Sequence, residues 1–314
     1  VPCRAVPCRA VPCRVVSCRG LPFRAACTTA VAVGLVATDT IFPITSPLTG
    51  RKPIVPQQPA LLRYPGSKWR LAPTIVSHFG EHYHYVEPYF GSGAVFFTKQ
   101  PSGHELINDA NGRVVSFWRT LRNQPDDLCW ALETTPWSRD EYDESDVLSD
   151  DPVEDARRFA VRAWQSHASV LSKKTGWKTR GSSQRAGGLS QRWKKLPAQL
   201  RAVADRLADA EIEHRDALEV IARFNTPDTL IYADPPYVME TRTQSLYGVE
   251  VDDDHHARLL ELLCAHRGPA VVSGYTSAMY DSALADWQRV VVKAPAVEKG
   301  AHRKEVLWVK GRTS

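Results

Sequence analysis

The sequence predicts an α/β fold whose binding cleft lies at the carboxyl ends of its strands. Three observations predict it. Short apolar runs of strand length recur along the chain between longer segments of helical period. A glycine turn, Gly91-Ser92-Gly93, follows one such run, and Asp109 closes the next run 18 residues after Gly91. An acid–proline corner, Asp234-Pro235-Pro236-Tyr237, leaves the carboxyl end of a third run, Thr229 to Ala233. In open α/β sheets that end of the strands is where ligands sit.

Composition sets the limits. The chain has 314 residues, enough for one large domain or two small ones, and its 43% hydrophobic and 24% charged residues are an ordinary globular mix. No apolar run is long enough to span a bilayer, which argues against a membrane partner. The net charge of +5 is modest, so its distribution matters more than its size. Five of the seven cysteines lie between positions 3 and 27. The remaining pair, Cys129 and Cys264, are far apart, which fits a reducing, cytoplasmic location.

Residues 1–60 read as a disordered, low-complexity extension and linker. Positions 1 to 25 repeat with period five (VPCRA, VPCRA, VPCRV, VSCRG, LPFRA), which matches no repeat fold. Cysteines five apart without histidine do not resemble a zinc site. The first methionine is Met239, and a misplaced gene start translating repetitive upstream DNA is a simple explanation. Ala30 to Ala37, an apolar run after arginines, resembles a signal or transit peptide, but export or import is the minor reading beside a cytoplasmic one. Prolines then mark a linker, and folding is expected to begin near Leu61.

Tyr64-Pro65-Gly66-Ser67-Lys68 looks like the end of a phosphate loop but lacks the earlier glycine. Leu71 to Phe79 reads as an amphipathic helix. Tyr85 to Pro88 is a strand, followed by the glycine turn and the apolar start of a helix, Ala94 to Phe97. Glycines let a ligand approach the backbone, and a helix N-terminus would favour an anion. His104 to Asn108 is the next strand. An acid at its end, at this spacing, can accept ribose hydroxyls. The bland alternative is a turn glycine pair, with Asp109 capping a helix from Ala110 to Leu121.

From Arg157 to Arg206 there are 13 Lys/Arg and one acid, Asp205, with Trp164, Trp177 and Trp193 among them. Charge this one-sided invites an external polyanion, and nucleic-acid phosphates are the natural one. The aromatics could stack on bases. A loop holding Lys173, Lys174, Trp177, Lys178 and Arg180, with Arg185 just beyond, is the candidate DNA-binding element. Helices are expected over Val153 to Ser169 and Leu196 to Asp209. The alternative is a solvated basic face with core tryptophans. Asp140 to Asp155, in contrast, is acidic and receives no chemical role.

Beyond the insert, Glu211 to His214 reads as a strand ending near Asp216, and Ala217 to Phe224 as a helix. Proline fixes φ and lacks an N–H, so the Asp234–Tyr237 corner is stiff and its carbonyls are free to accept. Carboxylate, carbonyl and ring together suit a flat base bearing an amino group; a plain proline turn is the alternative. Asp252 to His256 could suggest a metal, but the run precedes an apolar helix, so Asp254 reads as its N-cap and no metal is expected. Ala270 to Ser273 is a strand. Arg289 to Lys293 and Glu305 to Val309 close the sheet as a hairpin at its edge.

Taken together, YPGSK, VEPYFGSG, a strand ending NDAN, ADPPYV, VVSGYTSAMYD and RKEVLWVK, in that order, resemble the Dam-type adenine-specific DNA methyltransferases, especially phage and prophage members. The likeness runs from about Leu61 to Lys310. It implies a Rossmann-like, S-adenosylmethionine-dependent methyltransferase sheet with a helical target-recognition insert. The catalytic domain would be 61–122 and 210–314, and the insert 123–209. It implies S-adenosylmethionine as methyl donor and double-stranded DNA as partner, with a monomer expected. By motif, Tyr64, Lys68 and Glu87 line the cofactor pocket, Phe90, Gly91 and Gly93 form its loop, Asp109 takes the ribose, and Asp216 flanks the cofactor adenine. Asp234, beside the cofactor, acts with Pro235, Pro236 and Tyr237 on the target adenine. Tyr89-Phe90 departs from the family's usual phenylalanine and small residue. The same chemistry on RNA, cytosine or a protein glutamine, or an inactive DNA-binding relic, are the rival readings.

Overall fold

The computed structural model describes residues 60–167, 174–179, 188–238, 249–292 and 305–311. Lys173, Arg180, Arg185 and the five-residue repeat lie outside them. Seven strands form one sheet: β1 (His84–Glu87), β2 (His104–Asn108), β3 (Ala210–Glu213), β4 (Thr229–Ala233), β5 (Ala270–Tyr275), β6 (Gln288–Val292) and β7 (Glu305–Lys310). Their spatial order is β3-β2-β1-β4-β5-β7-β6. The first five are mutually parallel, and β7 runs antiparallel between β5 and β6. The closing pair is therefore a hairpin as expected, but its second strand lies inside and its first forms the edge.

The inner strands are covered on both faces, which is why β4 and β5 read as near-continuous apolar runs. Alternation still sorts the faces. Tyr85, Ile107, Leu230, Tyr232, Val271 and Leu307 enter one core, and Val86, Leu106, Ile231, Ala233, Val272 and Val306 the other. The strand order reverses at β1, whose neighbours are β2 and β4. That switch point leaves a crevice beyond the strand ends.

The described helices are α1 (Ala72–Val76), α2 (Gly112–Asn123), α3 (Pro125–Thr134), α4 (Arg139–Glu144), α5 (Pro152–Gln165), α6 (Leu189–Ala208), α7 (Ala217–Arg223), α8 (Asp253–Ala265) and α9 (Ala278–Ala283). Side-chain caps start several of them: Asn111 accepts from the Arg113 N–H, Asp151 from Val153 and Asp216 from Leu218. Three expectations need correction. The predicted helix from Leu71 shrinks to five residues. The segment after the glycine turn is a series of tight turns, not a helix; Gly93 adopts φ +68° and Phe96 and Phe97 are both drawn into the core. The cap of α8 is Asp252, which accepts from His255 N–H, rather than Asp254.

Helices α3 to α6 lie between β2 and β3 in the chain, and their Leu128, Leu132, Phe159, Trp164, Trp193, Leu196 and Leu200 join the same apolar core as Tyr85, Ile107 and Tyr232 of the sheet. Trp164 and Trp193 are thus core residues, unavailable for stacking on bases. The charge reading also changes. Arg157 and Arg158 pair with Glu154, Arg157 also with Glu141, Arg162 with Asp146, Lys174 with Asp143, Arg201 with Asp126 and Arg206 with Glu105. Acids between Asp140 and Asp155 therefore pair with four cations of the basic stretch, Arg157, Arg158, Arg162 and Lys174. Lys174, a candidate for DNA, is among the neutralised cations.

The last turn of α6 is anchored to the sheet by a buried charge network. Arg206 Nη2 donates to Glu105 Oε1 at 2.6 Å, and Lys99 donates to the same carboxylate. Glu105 is 2% exposed. Removing Arg206 leaves the buried Glu105 with Lys99 as its remaining cation, a loss of compensation for a buried charge. Arg206→Met is expected to lower the unfolding free energy by ~3 kcal/mol, measured by urea denaturation. A loss near zero would mean that the network anchors nothing.

Candidate active site

Three loops converge at the switch point. The first is Tyr64 to Lys68, where Gly66 at φ +71° turns the chain and the Lys68 ammonium donates to the Gly66 carbonyl at 2.7 Å. The second is the glycine turn after β1. The Ser67 and Ser92 hydroxyls, 2.8 Å apart, tie these two together. The third is the acid–proline corner after β4.

The glycine turn is held on both sides of Gly91. Its N–H donates to Asp109 Oδ2 at 2.8 Å, and its carbonyl accepts from the Trp118 indole at 2.9 Å. Asp109 Oδ1 also accepts from the Asn111 N–H at 2.8 Å. Gly91 has φ +47°, and a Cβ there would lie 3.0 Å from the Tyr64 ring. A Cβ on Gly93 would lie 2.7 Å from both Phe90 and Phe97. Asn108, buried at the end of β2, donates to the Pro88 and Arg215 carbonyls and accepts from the Arg215 N–H. It stitches the loop after β1 to the loop after β3.

A cavity of about 280 Å³ lies among these loops, near the lower end of small-molecule sites at ~300–1,000 Å³. Tyr64, Lys68, Glu87, Phe90, Gly91, Asp109, Asp216 and Asp234 all line it, together with Pro236. The glycine turn and the acid of the corner therefore share one space. Gly93 does not line the cavity; it allows the aromatic packing beneath it. Val249 to Asp252 and His255 line the cavity as well. His255 is fixed by a 2.8 Å hydrogen bond with the Tyr89 hydroxyl.

Burial shapes the acids of this site. It pushes Asp109 up to about 6, against the two backbone N–H groups that favour its carboxylate. It pushes Glu87 up to about 8, although the Tyr85 hydroxyl donates to Glu87 Oε2 at 2.6 Å. Burial also raises Asp234, opposed by Lys68 and reinforced by Glu305. Asp234 accepts from Lys68 at 2.8 Å and from the Ser273 hydroxyl at 2.8 Å.

Pro235 and Tyr237 face a separate niche with Val238, Ser273, Gly274, Tyr275 and Tyr280. That niche holds about 10 Å³, too little for a purine. The Tyr237 ring is 8% exposed, lies edge-on to Tyr275 at 4.4 Å and carries the Lys68 ammonium 5.0 Å from its centre. Its hydroxyl donates to Glu305. The open aromatic face expected from sequence is engaged within the protein. Sequence reading also gave Ser273, Glu305, Asn108 and Trp118 no role. The available signal was a polar residue inside or opening an apolar strand, as in AVVSGY and EVLWVK.

Among the insert's cations, Lys178 and Arg192 meet a third that sequence did not single out, Arg63. Burial and then Arg192 hold the Arg63 guanidinium below its usual pKa; burial and then Arg63 do the same to Lys178. Arg192, Lys194 and Lys195 are exposed on α6. The Trp177 indole donates to Gln165 at 3.0 Å, and Arg139 covers its ring at 5.0 Å. Among the described residues no group of three His, Cys, Asp or Glu is placed to hold a metal, and no helix is long and apolar enough to cross a membrane.

A switch-point cavity with a braced glycine turn and an acid–proline corner defines a Rossmann-like, small-molecule-binding α/β fold. The particular family follows from comparison. The model of the D12 class N6 adenine-specific DNA methyltransferases matches residues 64–294, and the chain belongs to that family: it is an adenine-specific DNA methyltransferase. DNA adenine methylases from two strains of Vibrio cholerae serotype O1 are each 26% identical over 274 residues, covering 80% of this chain and 94% of theirs. A type II methyltransferase, M1.LlaDCHI of Lactococcus lactis subsp. cremoris, is 34% identical over 71 residues, 22% of this chain and 25% of its own. The crystal structure of an S-adenosylmethionine-dependent methyltransferase from Agrobacterium tumefaciens covers 78% of this chain and 61% of its own, at 9% identity and a TM-score of 0.35, a likeness too distant to carry a functional statement.

Because Gly93 combines a left-handed φ with a steric clash against two rings, Gly93→Ala is expected to destabilise the fold by ~2 kcal/mol or more. Thermal or urea denaturation measures this. Unchanged stability would refute the tight-turn account.

Proposed function

We propose that the enzyme transfers a methyl group from S-adenosylmethionine directly to the exocyclic N6 of an adenine turned out of double-stranded DNA. One observation carries the reading: the Asp109-braced glycine turn and Asp234 line a single cavity at the switch point. The residues fit such a donor. Asp109 keeps a carboxylate at the end of β2 for a ribose diol, the positive-φ Gly91 gives close backbone approach beneath Tyr64, and Asp216 lies across the cavity for a purine.

S-adenosylmethionine supplies a methyl group already activated on a sulfonium. The task left to the protein is the acceptor, because the adenine amino lone pair is delocalised into the ring. In this reading the Asp234 carboxylate and the Pro235 carbonyl accept the two amino hydrogens, which favours a pyramidal nitrogen with its lone pair directed into the cavity. Lys68, at 2.8 Å, helps keep Asp234 ionised for that role. Positioning and electrostatics supply the rate. Extruding the base costs a few kcal/mol, and stacking on Tyr237 offsets about 1–3 kcal/mol of that. Seating the base also requires the corner to open, since the niche beside Tyr237 is small.

Helices α3 to α6 serve as the target-recognition insert in this reading. The phosphate-facing cations are Lys178, Arg192 and Arg63, whose mutual repulsion an anion would relieve. A DNA substrate and a cytosolic cofactor support a cytoplasmic site of action, with a single chain per target.

Three measurements test this. Asp234→Ala should abolish transfer of labelled methyl to unmethylated DNA while leaving DNA affinity nearly intact; wild-type turnover would falsify its role. Replacing Arg63, Lys178 and Arg192 with alanine should reduce the slope of log affinity against log salt by about 1 for each phosphate-binding cation removed, read by fluorescence anisotropy. An unchanged slope would move the interface elsewhere. Donor binding by calorimetry should weaken as pH falls below about 6, where Asp109 takes up a proton and can no longer serve as a charged acceptor. A flat profile down to pH 5 would separate Asp109 from the ribose.

A further inference from the structure

Glu305 opens β7 and belongs to none of the loops that build the cavity. We propose that Glu305 is a positioning residue for the methyl-acceptor site: its carboxylate holds the Tyr237 hydroxyl and faces the Lys68 ammonium, and so fixes both ends of the Asp234–Tyr237 corner. This rests on the reading of Asp234 as the acceptor of the adenine amino hydrogens.

The antiparallel register places it there. Glu305 pairs with Tyr275 of β5, and the Tyr275 ring meets Tyr237 edge-on at 4.4 Å. Tyr237 then donates its hydroxyl to Glu305. On the other side, Lys68 Nζ lies 3.4 Å from Glu305 Oε1 and 2.8 Å from Asp234 Oδ2. One ammonium thus bridges the first residue of the corner to β7, and one hydroxyl bridges the last residue to the same carboxylate. Glu305 is 6% exposed in a strand otherwise built mainly of Val, Leu and Trp. A buried carboxylate in such a strand is unfavourable unless paired, and an apolar residue would pack there at no electrostatic penalty. Among the described residues, both side chains that pair with it belong to the site.

The charge of Glu305 also reaches Asp234. The groups facing Asp234 are Lys68 from the first loop, Ser273 of β5, Glu305 of β7, Glu87 of β1, Tyr232 of β4 and Tyr280 of α9. Of these, Lys68 and Ser273 favour the carboxylate and Glu305 disfavours it. Removing the negative charge of Glu305 therefore lowers the pKa of Asp234 and moves the acid limb of activity to lower pH.

The experiment measures kcat, KM for the donor and the pH profile on unmethylated DNA for Glu305→Ala, Glu305→Gln, Tyr237→Phe and the double variant Glu305→Ala/Tyr237→Phe. Glu305→Ala is expected to lower kcat by about 10- to 100-fold, with KM for the donor within about twofold. Glu305→Gln keeps an oxygen that accepts from Tyr237, so it should recover most of that loss while shifting the acid limb to lower pH. The double variant should be no slower than the slower single, because both remove one hydrogen bond. Wild-type kcat in Glu305→Ala, or an unmoved acid limb in Glu305→Gln, overturns the proposal. Should the alanine variant fail to fold, the acid limb of Glu305→Gln decides alone. Asp234→Ala run alongside separates the two levels. Turnover in that variant removes the functional reading, whereas an inactive Asp234→Ala with unperturbed Glu305 variants removes only this inference.

Discussion

The site depends on one hydrogen bond, from the Gly91 N–H to the Asp109 carboxylate. It joins the end of β1 to the end of β2 across the turn that forms the cavity floor. The Trp118 indole holds the other side of the same glycine, so the turn is clamped between a buried acid and a buried ring. Without that clamp a two-glycine turn would be among the most mobile parts of the chain. The burial that immobilises it is also what raises the Asp109 pKa to about 6. Rigidity of the floor and the unusual basicity of its acid have one cause.

The corner is organised differently. Its prolines stiffen the backbone, but its side chains are held by strands that enter the sheet later. Ser273 on β5 donates to Asp234, and Glu305 on β7 accepts from Tyr237. The antiparallel strand is thus more than an edge closure: its register delivers a polar side chain to a loop more than sixty residues earlier in the chain.

Much of this is legible in the sequence. β2 and β4 can be read to the residue: β4 is a short, mostly apolar run, and both strands stop at an asparagine or just before an acid, Asn108 with Asp109 and Asp234. Asp109, Gly91, Lys68 and Asp234 stand out by their spacing and by the family resemblance, and the fold brings them to one cavity. What fails are inferences that need pairing in space. The basic stretch looks uncompensated because its partners Asp126, Glu141, Asp143, Asp146 and Glu154 all precede it in the chain. Trp164 and Trp193 look available for bases because a helix bundle's interior cannot be told from a binding face by composition. The helix expected after the glycine turn gives way to tight turns, with Gly93 at a left-handed φ and Phe96 and Phe97 both buried.

On the proposed reading of α3 to α6 as the DNA-facing part, their internal ion pairs bear on how the enzyme would travel along its substrate. A polypeptide whose cations were all turned outward would cling to any stretch of duplex and move off it slowly, especially in dilute electrolyte. Here the arginines of α5 already have acidic partners in the same chain, and among the described residues Arg192, Lys194 and Lys195 lie exposed on α6. If those cations face the duplex as proposed, such a surface would grip non-target DNA loosely. It would favour frequent dissociation and short excursions between sites, and leave commitment to the moment when a base enters the pocket.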